Sequence, residues 1–246
     1  MTTNWFDAGG ADYAAFRPDY PLELVDALSD LAPRRRLAID MGCGAGQLTA
    51  ALAERFDAVI GVDPSADQIA HARPHPGVRY VVAPAEATGL APGQADLITA
   101  AQAAHWFDLE PFYDEARRLA APGALLALIT YGAPVLEPDL GARFNRFYAD
   151  EIGPYWPAER RLVDSGYVDL GFPFEELTPP ETAIRRDWAL GDLLGYVGTW
   201  SAARRAREAG RAEVLEAFAR DLAGLWGEPG LRRLVVWPVR MRLGRL

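Results

Sequence analysis

Two carboxylates and three glycines are the residues of this chain best spaced for chemistry. Asp40 ends the apolar run Ala38-Ile39, and Gly42, Gly44 and Gly46 follow at alternate positions before the helix-like stretch from Leu48 to Phe56. Glycine suits a place where backbone turns tightly and comes close to a ligand, because a Cβ would block that approach. The helix start that follows leaves unpaired N–H groups and a partial positive charge. Asp40, at a strand tip, is placed to accept hydrogen bonds from a cation or an ammonium group. A second apolar run, Ala58-Val59-Ile60-Gly61-Val62, ends in Asp63. A carboxylate about twenty residues beyond such a turn grips a ribose diol. The pattern is built to hold an adenosine-bearing cofactor.

Two cofactors compete for that geometry. A dinucleotide fingerprint reads G-x-G-x-x-G, yet Gln47 stands at its third glycine. Asp40, two residues before the first glycine, would repel a pyrophosphate but suits the ammonium of a methionine moiety. Asp40, Gly42, Gly44 and Gly46 match the D/E-x-G-x-G-x-G signature, and here the chain resembles the class I S-adenosylmethionine-dependent methyltransferases. Ala85-Glu86-Ala87, Gln102 to Phe107, and Leu119-Ala120-Ala121-Pro122-Gly123-Ala124 resemble the remaining motifs of that family in the same order. The resemblance spans roughly residues 10 to 131. Within it, Tyr13-Ala14-Ala15-Phe16-Arg17-Pro18-Asp19-Tyr20-Pro21 resembles the trans-aconitate methyltransferase-like, methyltransferase type 11 subgroup.

The residues must be positioned by alternating elements. Strand-like runs recur at Val78 to Val82, Asp96 to Ala100 and Ala124 to Ile129, separated by helical stretches that include Ala66 to Ala72 and Glu110 to Leu119. This alternation predicts an α/β fold with a mostly parallel sheet and helices on both faces. Pro122-Gly123 reads as the turn before the fifth strand. The resemblance implies a doubly wound, Rossmann-like sheet of seven strands. From Tyr131 to about Thr178 the chain is rich in aromatics, proline and glycine, long for a loop, and predicts a partly helical cap after the fifth strand. Thr182 to Trp188 alternates as a strand does. Helical segments at Leu190 to Trp200, Ala202 to Ala209 and Ala212 to Trp226 follow, and Leu234 to Met241 reads as a terminal strand. One domain over 1–246 is expected, with a cofactor core at 10–131 and substrate-side insertions at 132–178 and 190–226.

Composition narrows the function classes. The chain of 246 residues is long enough for one sizeable core. No apolar run approaches bilayer length, and residues 1–7 lack a basic-then-apolar signal pattern, so no membrane partner and a cytoplasmic location are expected. The single cysteine, Cys43, rules out an internal disulfide and a cysteine-rich zinc site, and within the turn it reads as a small space-filler. With 34 acids against 25 bases the net charge is −9, which argues against nucleic acid as partner. Arg34-Arg35-Arg36 and Arg204-Arg205 read as helix-end or surface groups. A small-molecule substrate fits better, in a monomer or homodimer.

The resemblance implies roles residue by residue. S-Adenosyl-L-methionine would be the cofactor and S-adenosyl-L-homocysteine its product. Asp40 with the backbone of Gly42 and Gly44 would hold the methionine part, and Cys43, Gly46 and Gln47 complete the turn. Asp63 would accept the ribose hydroxyls and Pro64 pack on adenine. Ala85 and Glu86 match the segment beside the adenine edge, although Pro84 stands where the family often has an Asp that reads the adenine amino group. Gln102 and Ala103 would lie near the sulfonium. Tyr13 and Arg17 belong to a segment that folds over the cofactor, with Arg17 on a carboxylate of cofactor or substrate, or else in a structural ion pair.

The acceptor side is read from the remaining residues. His105 follows the fourth strand, where a general base would face the methyl donor. It also suits a plainer role, anchoring the Trp106-Phe107 turn. Tyr20, Trp106, Trp156, Tyr196 and Trp200 are the candidate substrate contacts, while aromatics at helical spacing also make core. The reaction class is in-line methyl displacement, in which the protein aligns the partners and excludes water. Carboxyl O-methylation of a small acid is the reading by resemblance, since a carboxylate needs no base. The alternatives are N- or C-methylation of a heterocyclic or aromatic metabolite with His105 as base, and a non-catalytic S-adenosylmethionine-binding protein.

Overall fold

A computed structural model describes residues 17–246. Five parallel strands carry the alternation expected of the first half: β1 (Leu37–Met41), β2 (Ala58–Asp63), β3 (Val78–Val82), β4 (Ala95–Ala101) and β5 (Ala120–Tyr131). Their helices are α1 (Leu22–Leu31), α2 (Gln47–Leu52), α3 (Ala66–Ala70) and α4 (Leu109–Leu119). α1 buries Leu24, Val25 and Leu28 on one stripe, the spacing that seats a helix on a sheet.

Among the described residues β6 (Val135–Leu136), β7 (Glu175–Glu176), β8 (Thr182–Trp188) and β9 (Arg233–Arg245) bring the sheet to nine strands, in the order β3-β2-β1-β4-β5-β9-β6, with β7 and β8 also on β9. Two of these, β6 and β7, are two-residue pairings. The seven longer strands are the ones expected. β9 runs antiparallel to β5 through 239–245 and to β8 through 233–239. Strand order reverses between β1 and β4, so a crevice opens outside their carboxyl ends.

Pro122-Gly123 departs from expectation. β5 starts at Ala120, and its register shifts between the pairs Ala95–Ala120 and Leu97–Leu125. The dipeptide is a bulge within the strand, with Gly123 at φ +76°, and not a turn before it.

The second half adds α5 (Pro138–Arg146), a π-helical turn at Phe147–Glu151, a 3₁₀ turn at Gly153–Tyr155, α6 (Arg160–Asp164), α7 (Leu190–Gly198), α8 (Ser201–Glu208) and α9 (Glu213–Trp226). The partly helical insertion is therefore present. Its Phe144 and Phe147 join the core that also holds Leu24, Leu97 and Leu125, while Tyr167, Phe172 and Phe174 pack with Ile39 and Met41 on the other core. Phe147 stacks on Phe218 at 3.8 Å between ring centroids. Among the described residues no helix is long and apolar enough to cross a membrane.

Candidate active site

The turn after β1 is shaped by packing. Gly42 has φ +67°, and a Cβ there would lie 2.5 Å from the Ala103 side chain. Gly46 caps α2 at φ +79°, where a Cβ would lie 2.2 Å from the Tyr80 hydroxyl. Only glycine fits either place. Gly42 and Cys43 both donate their N–H to Val62 O, at 2.7 and 3.0 Å, which pins the turn to the end of β2.

Asp40 lies in register with Thr99 of β4 and is 1% exposed. Its Oδ1 accepts from Thr99 Oγ1 and its Oδ2 from Thr49 Oγ1, both at 2.7 Å. Burial pushes its pKa up to about 6 against those two hydrogen bonds, and the charge of Asp63 adds to the rise. Asp63 accepts the Gly44 N–H on Oδ2 and the Ser65 N–H on Oδ1, each at 2.9 Å, and burial raises its pKa as well. Two carboxylates raised by burial in one cleft favour a cationic partner.

These groups open on a cavity of about 520 Å³ at the carboxyl ends of β1, β2 and β4. Gly42, Cys43, Gly44 and Gln47 line it beside Asp40, and Asp63 and Pro64 line it from β2. Glu86, Gln102, Ala103, His105 and Trp106 line it too, as do Arg17 and Tyr20. Glu86 also accepts the Asp108 N–H at 2.9 Å, which ties the cavity wall to the start of α4.

Buried polar atoms in the wall test the fit of an adenosyl amino acid. Gln47 Nε2, a donor, and Gln68 Oε1, an acceptor, have no hydrogen-bond partner in the protein, and Gln68 is 4% exposed. Buried polar groups are nearly always satisfied, so a ligand with both donors and acceptors matches this lining. The set of two carboxylates, a donor and an acceptor around a glycine turn fits S-adenosylmethionine.

Some candidates from the sequence lie elsewhere. Gly46 faces Tyr80 and not the cavity, and Ala85 is buried in the core formed with Ile39, Met41 and Val62. Tyr196 and Trp200, 2% and 3% exposed, pack in the aromatic core. They are not on the cavity wall, because the α7 and α8 helices turn their apolar faces onto β8, β9 and the insertion. Trp156 packs 5.2 Å from Trp200 and under the Arg160 guanidinium, also off the wall. Pro84 is exposed and does not line the cavity. Cys43 is buried, its thiol pKa is raised by burial, and its Sγ lies 3.6 Å from Gly44 O, as a space-filler should. Tyr13 lies outside the described residues.

Sequence reasoning missed several functional neighbours. Gln68, Phe107, Tyr131 and Glu159 line the cavity, and Thr49 and Thr99 hold Asp40. Thr99 carried a signal: a hydroxyl inside the apolar strand Leu97-Ile98-Thr99-Ala100 needs a partner when buried. Tyr167 carried none. It lies 62 positions from His105, and the two meet at 2.8 Å, phenol oxygen to Nδ1.

Comparisons with known proteins bear on the family of the chain. A methyltransferase-domain family profile matches residues 39–128. A protein of Dictyostelium discoideum described as a methyltransferase is 37% identical over 221 residues, covering 88% of this chain and 84% of that protein. The chain belongs to the class I S-adenosylmethionine-dependent methyltransferases. A solved structure from Anaeromyxobacter dehalogenans described as a type II methyltransferase superposes with a TM-score of 0.88. It is 46% identical and covers 94% of this chain and 98% of that one. The malonyl-[acyl-carrier protein] O-methyltransferase of Enterobacter lignolyticus is 37% identical over 200 residues, covering 79% of this methyltransferase and 73% of that enzyme.

In this methyltransferase His105 is held neutral. Burial pushes its pKa down to about 3, and the charges of Arg160 and Arg17 add to the fall. Arg160 is itself paired with Asp164 at 3.0 Å.

Proposed function

We propose that this methyltransferase moves the methyl group of S-adenosylmethionine to the carboxylate of a small acid. The observation that carries the reading is Arg17, the one cationic side chain among the described residues that line the cavity, His105 there being neutral. A guanidinium is the side chain suited to a carboxylate, which it meets with a planar fork of donors. The similarity to a malonyl-[acyl-carrier protein] O-methyltransferase, an enzyme named for O-methylation of a malonyl group, supports it.

Asp40 would take the ammonium of the methionine part, Asp63 the ribose hydroxyls, and Gln47 and Gln68 further polar groups of the cofactor. Bound there, the cofactor supplies a methyl on a positively charged sulfur, which leaves as a neutral thioether. The acceptor carboxylate is already ionised and forms its new O–C bond without losing a proton. The protein's work is alignment and exclusion of water. Trp106, Phe107, Tyr20 and Tyr131 on the wall supply the apolar surroundings.

A second reading, methylation at nitrogen or carbon of a heterocyclic or aromatic metabolite, is favoured by His105. It lies on the wall, and its Nδ1 is 2.8 Å from the Tyr167 phenol oxygen.

Alkali separates the two. Incubation with methyl-labelled cofactor and a panel of small carboxylic acids should give label that base releases as methanol, as an ester does. Arg17→Gln should raise KM for the acid about tenfold, the loss of one charge-assisted hydrogen bond, and leave affinity for S-adenosylhomocysteine unchanged. Label that is stable to alkali would overturn carboxyl methylation and leave the second reading.

A further inference from the structure

Beyond Tyr131 the chain gives the cavity one lining residue among those described, and it is an acid, Glu159. Glu159 stands immediately before α6. Its carbonyl takes the Leu162 N–H at 3.0 Å, and the Arg160 N–H donates to Pro157 O at 3.0 Å, so the backbone that carries it is fixed. The neighbouring Arg160 guanidinium is engaged elsewhere. Its Nε lies 3.0 Å from Asp164 Oδ1 and 2.8 Å from the Tyr148 hydroxyl, and it sits 4.5 Å from the centre of the Trp156 ring.

Glu159 differs from the other acids on the wall. Asp40 accepts from Thr49 and Thr99, Asp63 from the Gly44 and Ser65 N–H groups, and Glu86 from the Asp108 N–H. The half-buried Glu159 carboxylate accepts no hydrogen bond and makes no ion pair among the described residues. A charge partly withdrawn from water needs a partner, and the protein supplies this one with none. The surroundings suit a cation. Tyr20, Trp106, Phe107 and Tyr131 line the same cavity, and the Tyr20 and Tyr131 rings meet edge to face at 6.1 Å between centroids. Aromatic faces attract a desolvated cation. The charges of Arg160 and Arg17 both bear on His105, which puts the chain neighbour of Glu159 at the His105 and Arg17 end of the cavity.

We infer that Glu159 is a specificity-determining residue that takes a cationic nitrogen of the methyl acceptor, which makes the acceptor a small amino acid. Arg17 meets the carboxylate of that molecule and Glu159 its ammonium. The carboxylate half of this class rests on the function proposed above, and the cationic half rests on Glu159. The cofactor's own sulfonium is the rival cation for the same side chain.

Calorimetry on the enzyme loaded with S-adenosylhomocysteine tests the inference by comparing small α-amino acids with the same acids lacking the nitrogen. Amino acids should bind about tenfold tighter or more to the wild type, the effect of one charge-assisted hydrogen bond. Glu159→Gln should bring that ratio near one, and Glu159→Asp, which keeps the charge, should retain part of it. Equal affinity within the pairs, or no binding of amino acids, would overturn the inference in the wild type alone. So would a preference that persists in folded Glu159→Gln. The affinity ratio of S-adenosylmethionine to S-adenosylhomocysteine reads the rival: a fall in that ratio in Glu159→Gln, with the amino-acid preference intact, would assign Glu159 to the sulfonium. Alkali-stable label on an amino acid would overturn carboxyl methylation and leave recognition by Glu159 standing. Alkali-labile label on acids without nitrogen, bound as tightly as amino acids, would overturn this inference and leave the proposed function standing.

Discussion

Gly44 donates its backbone N–H to Asp63 Oδ2 at 2.9 Å, so the glycine turn after β1 is tied to the tip of β2 by the carboxylate that faces the cavity. One side chain thus both shapes the turn and presents lone pairs to a ligand. Ser65 N–H holds the other oxygen at 2.9 Å, which leaves the carboxylate no freedom to rotate away.

That double duty makes Asp63→Asn more damaging than loss of one ligand contact. An amide places a donor against either the Gly44 or the Ser65 N–H, and that pairing is lost. Affinity for S-adenosylhomocysteine by calorimetry should fall by about 100-fold, the equivalent of one to two charge-assisted hydrogen bonds. A loss under threefold would show that Asp63 does not hold the ligand.

Asp40 gives a pH signature. Burial raises its folded pKa to about 6 from the ordinary carboxylate value of 3.8. A raised acid stabilises the fold below its unfolded pKa, and that contribution is lost as pH rises toward 6. A ligand ammonium beside Asp40 favours the ionised form, so binding of S-adenosylhomocysteine should release protons near pH 6. Affinity should rise with pH up to that point and level off above it. Calorimetry in buffers of different ionisation enthalpy reads the proton count directly. Asp40→Asn should abolish the proton release, weaken binding and stabilise the free protein at pH 8 by on the order of 1–3 kcal/mol in thermal melts.

The fold was legible in the sequence where local signals repeat. Val78 to Val82 and Thr182 to Trp188 carry their strand bounds in their own residues, and the structure matches both. The acidic ends of β1 and β2 were legible for the same reason, since a charged residue closing an apolar run stands out. Pro122-Gly123 misled because a bulge and a turn use the same residues, and only the partner strand tells them apart. Trp200 and Tyr196 misled because a large aromatic is equally suited to a pocket wall or a core. Their place depends on how α7 and α8 dock, which is a tertiary fact. The Tyr167–His105 contact was invisible because nothing local records a pairing across 62 positions.

Trp200 therefore serves stability first. It packs at 6.1 Å from Phe144 and 5.5 Å from Tyr196 and is 3% exposed. Trp200→Ala should lower unfolding stability by about 3–5 kcal/mol in denaturant melts. Trp200→Phe, measured under conditions where it is folded, should leave KM for the acceptor within about twofold, a few tenths of a kcal/mol. A selective rise in KM in that variant would return Trp200 to the substrate wall.

Gly46 separates packing from ligand contact within the glycine turn. An alanine there meets the Tyr80 hydroxyl at 2.2 Å and the ring carbon that bears it at 2.9 Å, at φ +79°. Gly46→Ala should cost about 2–4 kcal/mol, one part from the left-handed backbone and the rest from overpacking. Tyr80→Phe removes the closer of the two atoms together with the hydrogen bond the hydroxyl donates to Arg73 O at 2.8 Å. The double variant should recover about 1 kcal/mol relative to the sum of the two singles, since residues in contact are not additive. Urea melts of the four proteins measure that coupling. Strict additivity would show that the turn relieves the clash by moving away from Tyr80, toward the cavity, and affinity for S-adenosylhomocysteine would then fall in Gly46→Ala as well.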